Sequence, residues 1–450
     1  MPVGLDSSGV PSTPSRISAR WPRALTGRAS PPLRARDLGH WARVFRDGML
    51  HAYLDWALEM QDDFVIWAGP TPYVIAVAPD SIQRVLTEDD VFVRNVAPTR
   101  YLFGRGMLRL EGSAWLRRKR LLAPPFAVDA LQPVVSIVQE EADRLIARWS
   151  QNSASFRPVR DVSLLMLRIL GRYLFGLELD EERYGGGRQH ASLIALSTDA
   201  VLRHYLPWPV PQVLNGKRVL QARLKLDVMC SRILDEGGDT PFLSALRDAI
   251  SRRDLDRGTA IDEVRTFLIA GHETSASALA WALALVAQHP SRSEALRAES
   301  DSAANAETLG DIAALSASNA WAKEAMRLFP PVPVSVSQTT RETRLGRLSV
   351  PRGTRVDVSS YVLHRLPWLW TEPNVFRPER FDVQPERGTY LPFLMGPHTC
   401  LGMRLAMAEL PLALARLAGA FHFELPNGPP QVNLRLSLHP AQFILRAVRR

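Results

Sequence analysis

Residues 393–409 read FLMGPHTCLGMRLAMAE, from Phe393 to Glu409, and the rest of the chain is organised around them. The first half is a loop that turns at Gly396 and Pro397 and ends in Cys400. Beyond it Leu401, Leu405, Ala408 and Leu412 recur at steps of three and four, the spacing of one helix face. Cys400 is therefore expected at a helix N-terminus, where free backbone N–H groups and the positive end of the dipole favour a negative charge. Thiolate is the form of cysteine that binds a metal. A lone cysteine is more often a small buried hydrophobe, but the residues around this one favour a ligand. Gly396 lets the backbone turn beneath a flat group, and Gly402 leaves no side chain where that group must lie close. Phe393 can screen the sulfur from water.

The chain has 450 residues, 46% of them hydrophobic, enough to bury a large core or enclose a cofactor. Its two cysteines, Cys230 and Cys400, exclude a disulfide scaffold and suit a reducing compartment. Cys230 lies in LKLDVMCSRIL, a helical pattern, and reads as packing. Apolar runs near the start are too short to cross a bilayer, and residues 1–20 lack a signal-peptide core. A soluble, cytoplasmic protein without a membrane anchor is expected. The net charge of +9 is carried almost wholly by arginine, since only Lys119, Lys217, Lys225 and Lys323 are lysines. An Arg/Ala/Leu bias of this kind resembles that of a GC-rich bacterial genome. The arginines are scattered and no reading motif accompanies them, which argues against nucleic acid and for an acidic protein partner.

Residues 1–36, rich in Ser, Pro and Arg without a period, read as a mobile arm, and residues 37–450 as one domain. Leu38 to Met60 has helical spacing. FVIWAG and YVIAVAP, on either side of Pro70-Thr71-Pro72, read as a β-hairpin. Asp80 is placed to cap a short helix, SIQRVLTE. Val91 to Gly112 shows no period and reads as a long, functional type of loop carrying Tyr101, Phe103, Gly104 and Gly106. WLRRKRLL, from Trp115 to Leu122, opens a helix with four cations, either an anion site or a solvated basic face. Val134–Leu177 and His190–Leu234 read as helices, the second broken at HYLPWPVPQVLN by three prolines.

Ala260–His289 is the longest helical pattern, with Ala270-Gly271-His272-Glu273-Thr274-Ser275 at its middle. A threonine within a helix bonds back to the carbonyl four residues earlier and bends the helix slightly. With Gly271 one turn away, that bend can open a groove. Near the end of a further helix, Trp321–Phe329, Glu324 and Arg327 share a face; alone such a pair is worth about 0.3 kcal/mol. SVPRGTRVDVSSYV reads as two strands about a Pro351–Gly353 turn, and QVNLRLSL and QFILRAV as more strands.

The pattern Phe-x-x-Gly-x-x-x-Cys-x-Gly resembles the haem-ligand loop of the cytochrome P-450 family. Four motifs stand in that family's order and spacing from about residue 38 to the end. The resemblance implies a mainly α fold with a smaller β region. In such a fold haem b lies between the long central helix and the cysteine-loop helix, with Cys400 as the metal ligand. Ala270 and Gly271 would border the groove where O2 binds, and Thr274 and Glu273 would deliver protons there. Trp115 stands where the family's Trp-x-x-x-Arg holds a propionate. Lys119, with Arg120 beside it, occupies the arginine position and keeps the charge without the fork. His398 stands near a propionate; the arginine usual for the other is absent, and Gln338 is near its place. Glu324, Arg327 and Arg380, within Phe376-Arg377-Pro378-Glu379-Arg380-Phe381, match a buried ion network that holds the haem loop. Phe267, Ala270, Val332 and Val334 should face the substrate, with Tyr101 and Phe103 above it, and the proline-broken bend resembles an access lid.

The implied reaction inserts one atom of O2 into an apolar small molecule of secondary-metabolite, terpenoid or fatty-acyl type. A haem-thiolate peroxygenase or isomerase is an alternative, but such enzymes tend to lose the acid–alcohol pair present here as Glu273 and Thr274. In a second alternative, a non-catalytic gas sensor, that pair would be idle. Too few residues follow Cys400 for a reductase domain. Electrons are expected from a separate ferredoxin or flavodoxin with its NAD(P)H-dependent reductase, docking on Arg117, Arg118, Arg120 and Arg404.

Overall fold

The computed structural model describes residues 48–68, 71–94, 99–151, 156–180, 196, 210–434 and 437–449. The expected N-terminal arm and most of the proline-broken bend lie outside the described residues. The chain divides into two compact units. The first takes Met1–Asn95, Arg327–Arg377 and Val383–Cys400; the second takes Val96–Met326, Pro378–Asp382 and Leu401–Arg450.

The first unit is built on a sheet. Its strands are β1 (Phe64–Ala68), β2 (Thr71–Ala76), β3 (Phe92–Arg94), β4 (Ser335–Thr339), β5 (Thr343–Leu345), β6 (Leu348–Val350) and β7 (Arg355–Val358). Five of them form one sheet in the order β1-β2-β7-β4-β3, and β5 pairs with β6 apart from it. The β1–β2 hairpin follows the sequence reading, with Val65 opposite Val74. The two strands around Pro351–Gly353 do form, but they belong to different sheets. All four residues of β7 are buried and take neighbours on both sides, β2 in parallel and β4 antiparallel, whereas β6 is partly exposed. The long loop expected from Val91 is not one: β3 pairs Phe92 with Thr339, and Arg100–Phe103 is a helical turn. A strand whose partner lies far along the chain leaves no local period to read. The next helix, Pro79–Thr87, starts at Pro79 rather than under a cap from Asp80; a proline at the first position has its φ pre-set and lacks only an N–H that would be unpaired anyway. The helix before β1 runs over Met49–Met60.

The second unit is helical around Arg257–Gln288. The Asp256 carboxylate caps that helix by accepting the Thr259 N–H at 2.9 Å. Apolar residues surround it rather than forming a stripe, so it is buried on nearly every side. Helices Pro158–Leu170 and Val210–Glu236 pack against it. The helix read over Val134–Leu177 is two, Val134–Gln151 and Pro158–Leu170. The second runs on through a wider turn at Gly171–Phe175 and stops at Gly176, whose φ is 61°. Pro158 explains the restart, since it cannot continue a helix but can begin one. The C-terminal part is the helix Met403–Ala420 followed by β8 (Phe421–Glu424), β9 (Val432–Leu434), β10 (Leu438–Pro440) and β11 (Arg446–Arg449). In it β8 pairs with β11 and β9 with β10. Among the described residues no helix is long and apolar enough to cross a membrane.

Candidate functional site

In the first unit the Cys400 N–H donates to the Phe393 carbonyl at 2.9 Å. Thr399 donates its N–H (3.1 Å) and its hydroxyl (2.7 Å) to the Gly396 carbonyl. Leu394 and Gly396 are both left-handed, with φ of 58° and 76°. A Cβ on Gly396 would lie 2.3 Å from the Leu86 carbonyl oxygen. This glycine is therefore required for its conformation and for close approach. The coil leaves the Cys400 thiol exposed and Phe393 and His398 half-buried. The following helix opens at Met403 with Gly402 as its N-cap, so Cys400 stands just ahead of the first turn rather than on it. Among the described residues no three His, Cys, Asp or Glu side chains converge on a metal position. Iron at Cys400 would take one donor from the chain and must bring its others along, as a porphyrin does. An exposed thiol on a glycine-cradled loop meets that demand. Cys230 does not, because burial pushes its thiol up to about 12.

Behind this loop stands a residue that sequence reading missed. His364 accepts the Leu391 N–H on Nε2 (2.8 Å) and donates from Nδ1 to the Arg327 carbonyl (3.2 Å). Complete burial holds it well below the usual histidine range, so it is the neutral tautomer that fills both roles. Arg327, also buried, donates to the carbonyls of His364 and Pro373 (2.7 Å each) and Val375 (3.2 Å), with its guanidinium over the Trp370 ring. Gln338 donates its amide to the Gly353 carbonyl at 2.9 Å. The Val332 and Pro333 carbonyls accept the hydroxyls of Ser360 and Ser359, which pins the turn with the Val332 side chain exposed and Val334 half-buried.

In the second unit Glu324 is fully buried and accepts from Arg380 Nε at 3.0 Å. The long helix, buried at 262–269 and again at 275–286, opens between them at Ala270, Gly271, Glu273 and Thr274. Thr274 donates to the Ala270 carbonyl at 2.6 Å, as expected, yet the helix stays continuous. On the Gly271 side the helix is packed, because a Cβ there would lie 2.8 Å from a Leu170 methyl. The glycine serves helix packing. Glu273 meets His439 of β10 at 2.9 Å, a contact across the chain that no local pattern signals.

Ser275 donates to Glu409, the last residue of the 393–409 stretch and one to which the spacing assigned no role. Complete burial pushes the Glu409 carboxyl up to about 8, with the Ser275 bond only partly opposing it. A folded-state value above the unfolded 4.5 means that the folded protein holds the proton longer. Stability from this group is full below pH 4.5 and is lost as pH rises toward 8. Glu409→Gln is expected to flatten that slope, by up to about 1.4 kcal/mol per pH unit in the window. Thermal or urea unfolding of both proteins from pH 5 to 9 checks this; identical pH slopes would contradict it.

The remaining expected contacts divide. Lys119 places its ammonium 4.7 Å from the centre of the Trp115 ring, and Arg120 is exposed. Arg118 is not a docking residue: it is largely buried and paired with Glu263, which also accepts the Met107 N–H at 3.0 Å. Burial raises Glu263 to about 7 even against Arg118. Arg117, Arg120 and Arg404 remain exposed. Two of the aromatic substrate contacts are also core residues. Phe103 packs with Leu102 and Ile269, and Phe267 lies between Phe126 (5.6 Å) and Phe242 (4.8 Å). Apolar composition marks such rings but not the side they face. Tyr101 and Ala270 are partly open.

The sequence model of the cytochrome P450 family matches residues 30–447. The chain is 30% identical over 409 residues to cyclooctatin synthase of Streptomyces melanosporofaciens, covering 84% of this chain and 86% of that protein. It is 28% identical over 436 residues to cyclooctat-9-en-7-ol 5-monooxygenase of the same organism, covering 91% and 92%. To the ultra-long-chain fatty acid omega-hydroxylase of Homo sapiens it is 28% identical over 453 residues, covering 87% and 82%. Its fold aligns with the crystal structure of the cytochrome P450DA heme domain at a TM-score of 0.82 and 22% identity, covering 94% of this chain and 97% of that one. With a family match over nearly its whole length, the chain belongs to the cytochrome P450 family of monooxygenases.

Proposed function

We propose that Cys400 is the thiolate ligand of a haem b and that the enzyme oxidises an apolar small molecule, with electrons from a separate redox protein. The observation that carries this reading is the exposed Cys400 thiol at the end of a loop pinned by Phe393, Gly396 and Thr399. Bound haem supplies the activation of O2, and thiolate donation favours O–O cleavage. Trp115 with Lys119, Arg120 and His398 would hold the propionates, and Phe393 and Gly402 would fit the loop around the thiolate. Ala270 and Thr274 form the open window of a helix otherwise closed along its middle, which excludes water from all but that face. Thr274 holds a hydroxyl there, and Glu273, tied to His439, is the acid that recharges it. Tyr101, Ala270, Val332 and Val334 would contact the substrate. The relatives named for a fatty acid and for cyclooctat-9-en-7-ol support the fatty-acyl and terpenoid classes. Glu273 and Thr274 together favour this reading over peroxygenase or isomerase chemistry. A ferredoxin or flavodoxin with its reductase would dock where Arg117, Arg120 and Arg404 are exposed, and charge steers such encounters.

Turnover under 18O2 with a surrogate ferredoxin and reductase tests the proposal. One labelled oxygen atom is expected in the product, and Thr274→Ala is expected to bind substrate unchanged while diverting electrons to hydrogen peroxide. Unlabelled product, or unchanged product per electron in Thr274→Ala, would overturn it.

A further inference from the structure

A cleft of about 500 Å³ in the second unit is lined by Tyr101, Arg105, Arg109, Arg223, Asp227, Ile261 and Asp262, together with Gly104 and Gly258. Its charges do not balance. Asp262 accepts the Arg105 N–H (2.7 Å) and Arg223 Nη2 (2.6 Å) and pairs with the buried Arg265. Asp227 takes Arg223 Nε at 2.9 Å and also Arg265; Asp256 takes both terminal nitrogens of Arg105. Four guanidiniums thus meet three carboxylates, and the surplus cation is Arg109. Its Nη1 donates to the Gly104 carbonyl at 2.7 Å, while its Nε is buried without an acceptor. Among the described residues no carboxylate pairs with it. The arrangement is fixed from below, since a Cβ on Gly104 would lie 2.3 Å from the Asp262 carboxylate.

We propose that Arg109 receives the carboxylate of an acyl chain at this cleft. A guanidinium with no carboxylate partner offers its remaining N–H donors to an anion. One uncompensated charge matches a monoanion and not a phosphate dianion, and Tyr101 and Ile261 supply apolar wall beside it. The helix rise puts Ile261 about 20 Å from Thr274 along the same helix. A carboxylate at Arg109 is then about one long acyl chain from Thr274 measured along that helix. This rests on the reading of the protein as an oxidiser of apolar molecules, but the binding step does not.

Calorimetry of the holoenzyme with hexadecanoate and with hexadecan-1-ol separates the two. Arg109→Gln breaks no ion pair, so the variant is expected to fold and keep its haem. It should weaken hexadecanoate by about tenfold or more and leave the alcohol unchanged, with Arg109→Lys between. Equal effects on acid and alcohol, no effect on either, or no binding of hexadecanoate to the wild type would overturn the assignment. Displacement of hexadecanoate by acetate at comparable concentration would overturn the acyl part, leaving a small-anion site. Failure to oxidise a bound hexadecanoate would count against the proposed function and leave the binding result standing.

Discussion

Glu324→Ala is expected to yield little or no folded protein. Glu324 is fully buried and its carboxylate accepts from Arg380, which is itself nearly enclosed. Removing one partner of a buried ion pair takes that counter-charge from the other where water cannot replace it, at a cost of about 3–5 kcal/mol. That is a large part of the roughly 5–15 kcal/mol by which a domain is stable. Glu324→Gln keeps an acceptor oxygen of the same shape but loses the charge, and should fall between. Soluble yield and thermal unfolding check the series. An alanine variant that unfolds at the wild-type temperature would show that the Glu324–Arg380 pair does not stabilise the fold.

Cys400→Ser is expected to fold normally and to lose all monooxygenase turnover. The thiol is exposed, and the loop is held by the backbone N–H of residue 400, which serine retains. Serine offers a hard, protonated oxygen in place of a soft thiolate, so the donation that assists O–O cleavage disappears. Cys230→Ser places a hydroxyl in a fully buried site and should lower stability while leaving turnover per folded molecule unchanged. Unfolding temperatures and turnover of the two variants should therefore separate in opposite directions. Turnover surviving in Cys400→Ser would place the ligand elsewhere.

Local chemistry was legible in the sequence. The β1–β2 hairpin, the long helix, the back-bonded Thr274 and the loop ending at Cys400 each rest on residues close in the chain. Pairings between distant segments were not. No pattern near Val91 announces β4, and nothing in WLRRKRLL shows that Arg118 turns inward to Glu263 while Arg117 and Arg120 face out. Phe103 and Phe267 carry the composition of a substrate wall and the geometry of a core. The long helix is apolar on every side, so its spacing could not tell where it opens; only packing shows the window at Ala270–Thr274. His364 and Glu409 escaped for a related reason. Each is a lone polar residue in an apolar run, and its work is done with partners remote in sequence.

Thiolate ligation at Cys400 is read directly in the absorption spectrum of the freshly purified, reduced protein under carbon monoxide. Thiolate donation to the iron predicts a main band at the long wavelength after which the family is named, absent in Cys400→Ser and retained in Cys230→Ser. A band at the shorter wavelength typical of imidazole-ligated haem in active wild-type protein, or a long-wavelength band that persists in Cys400→Ser, would contradict it.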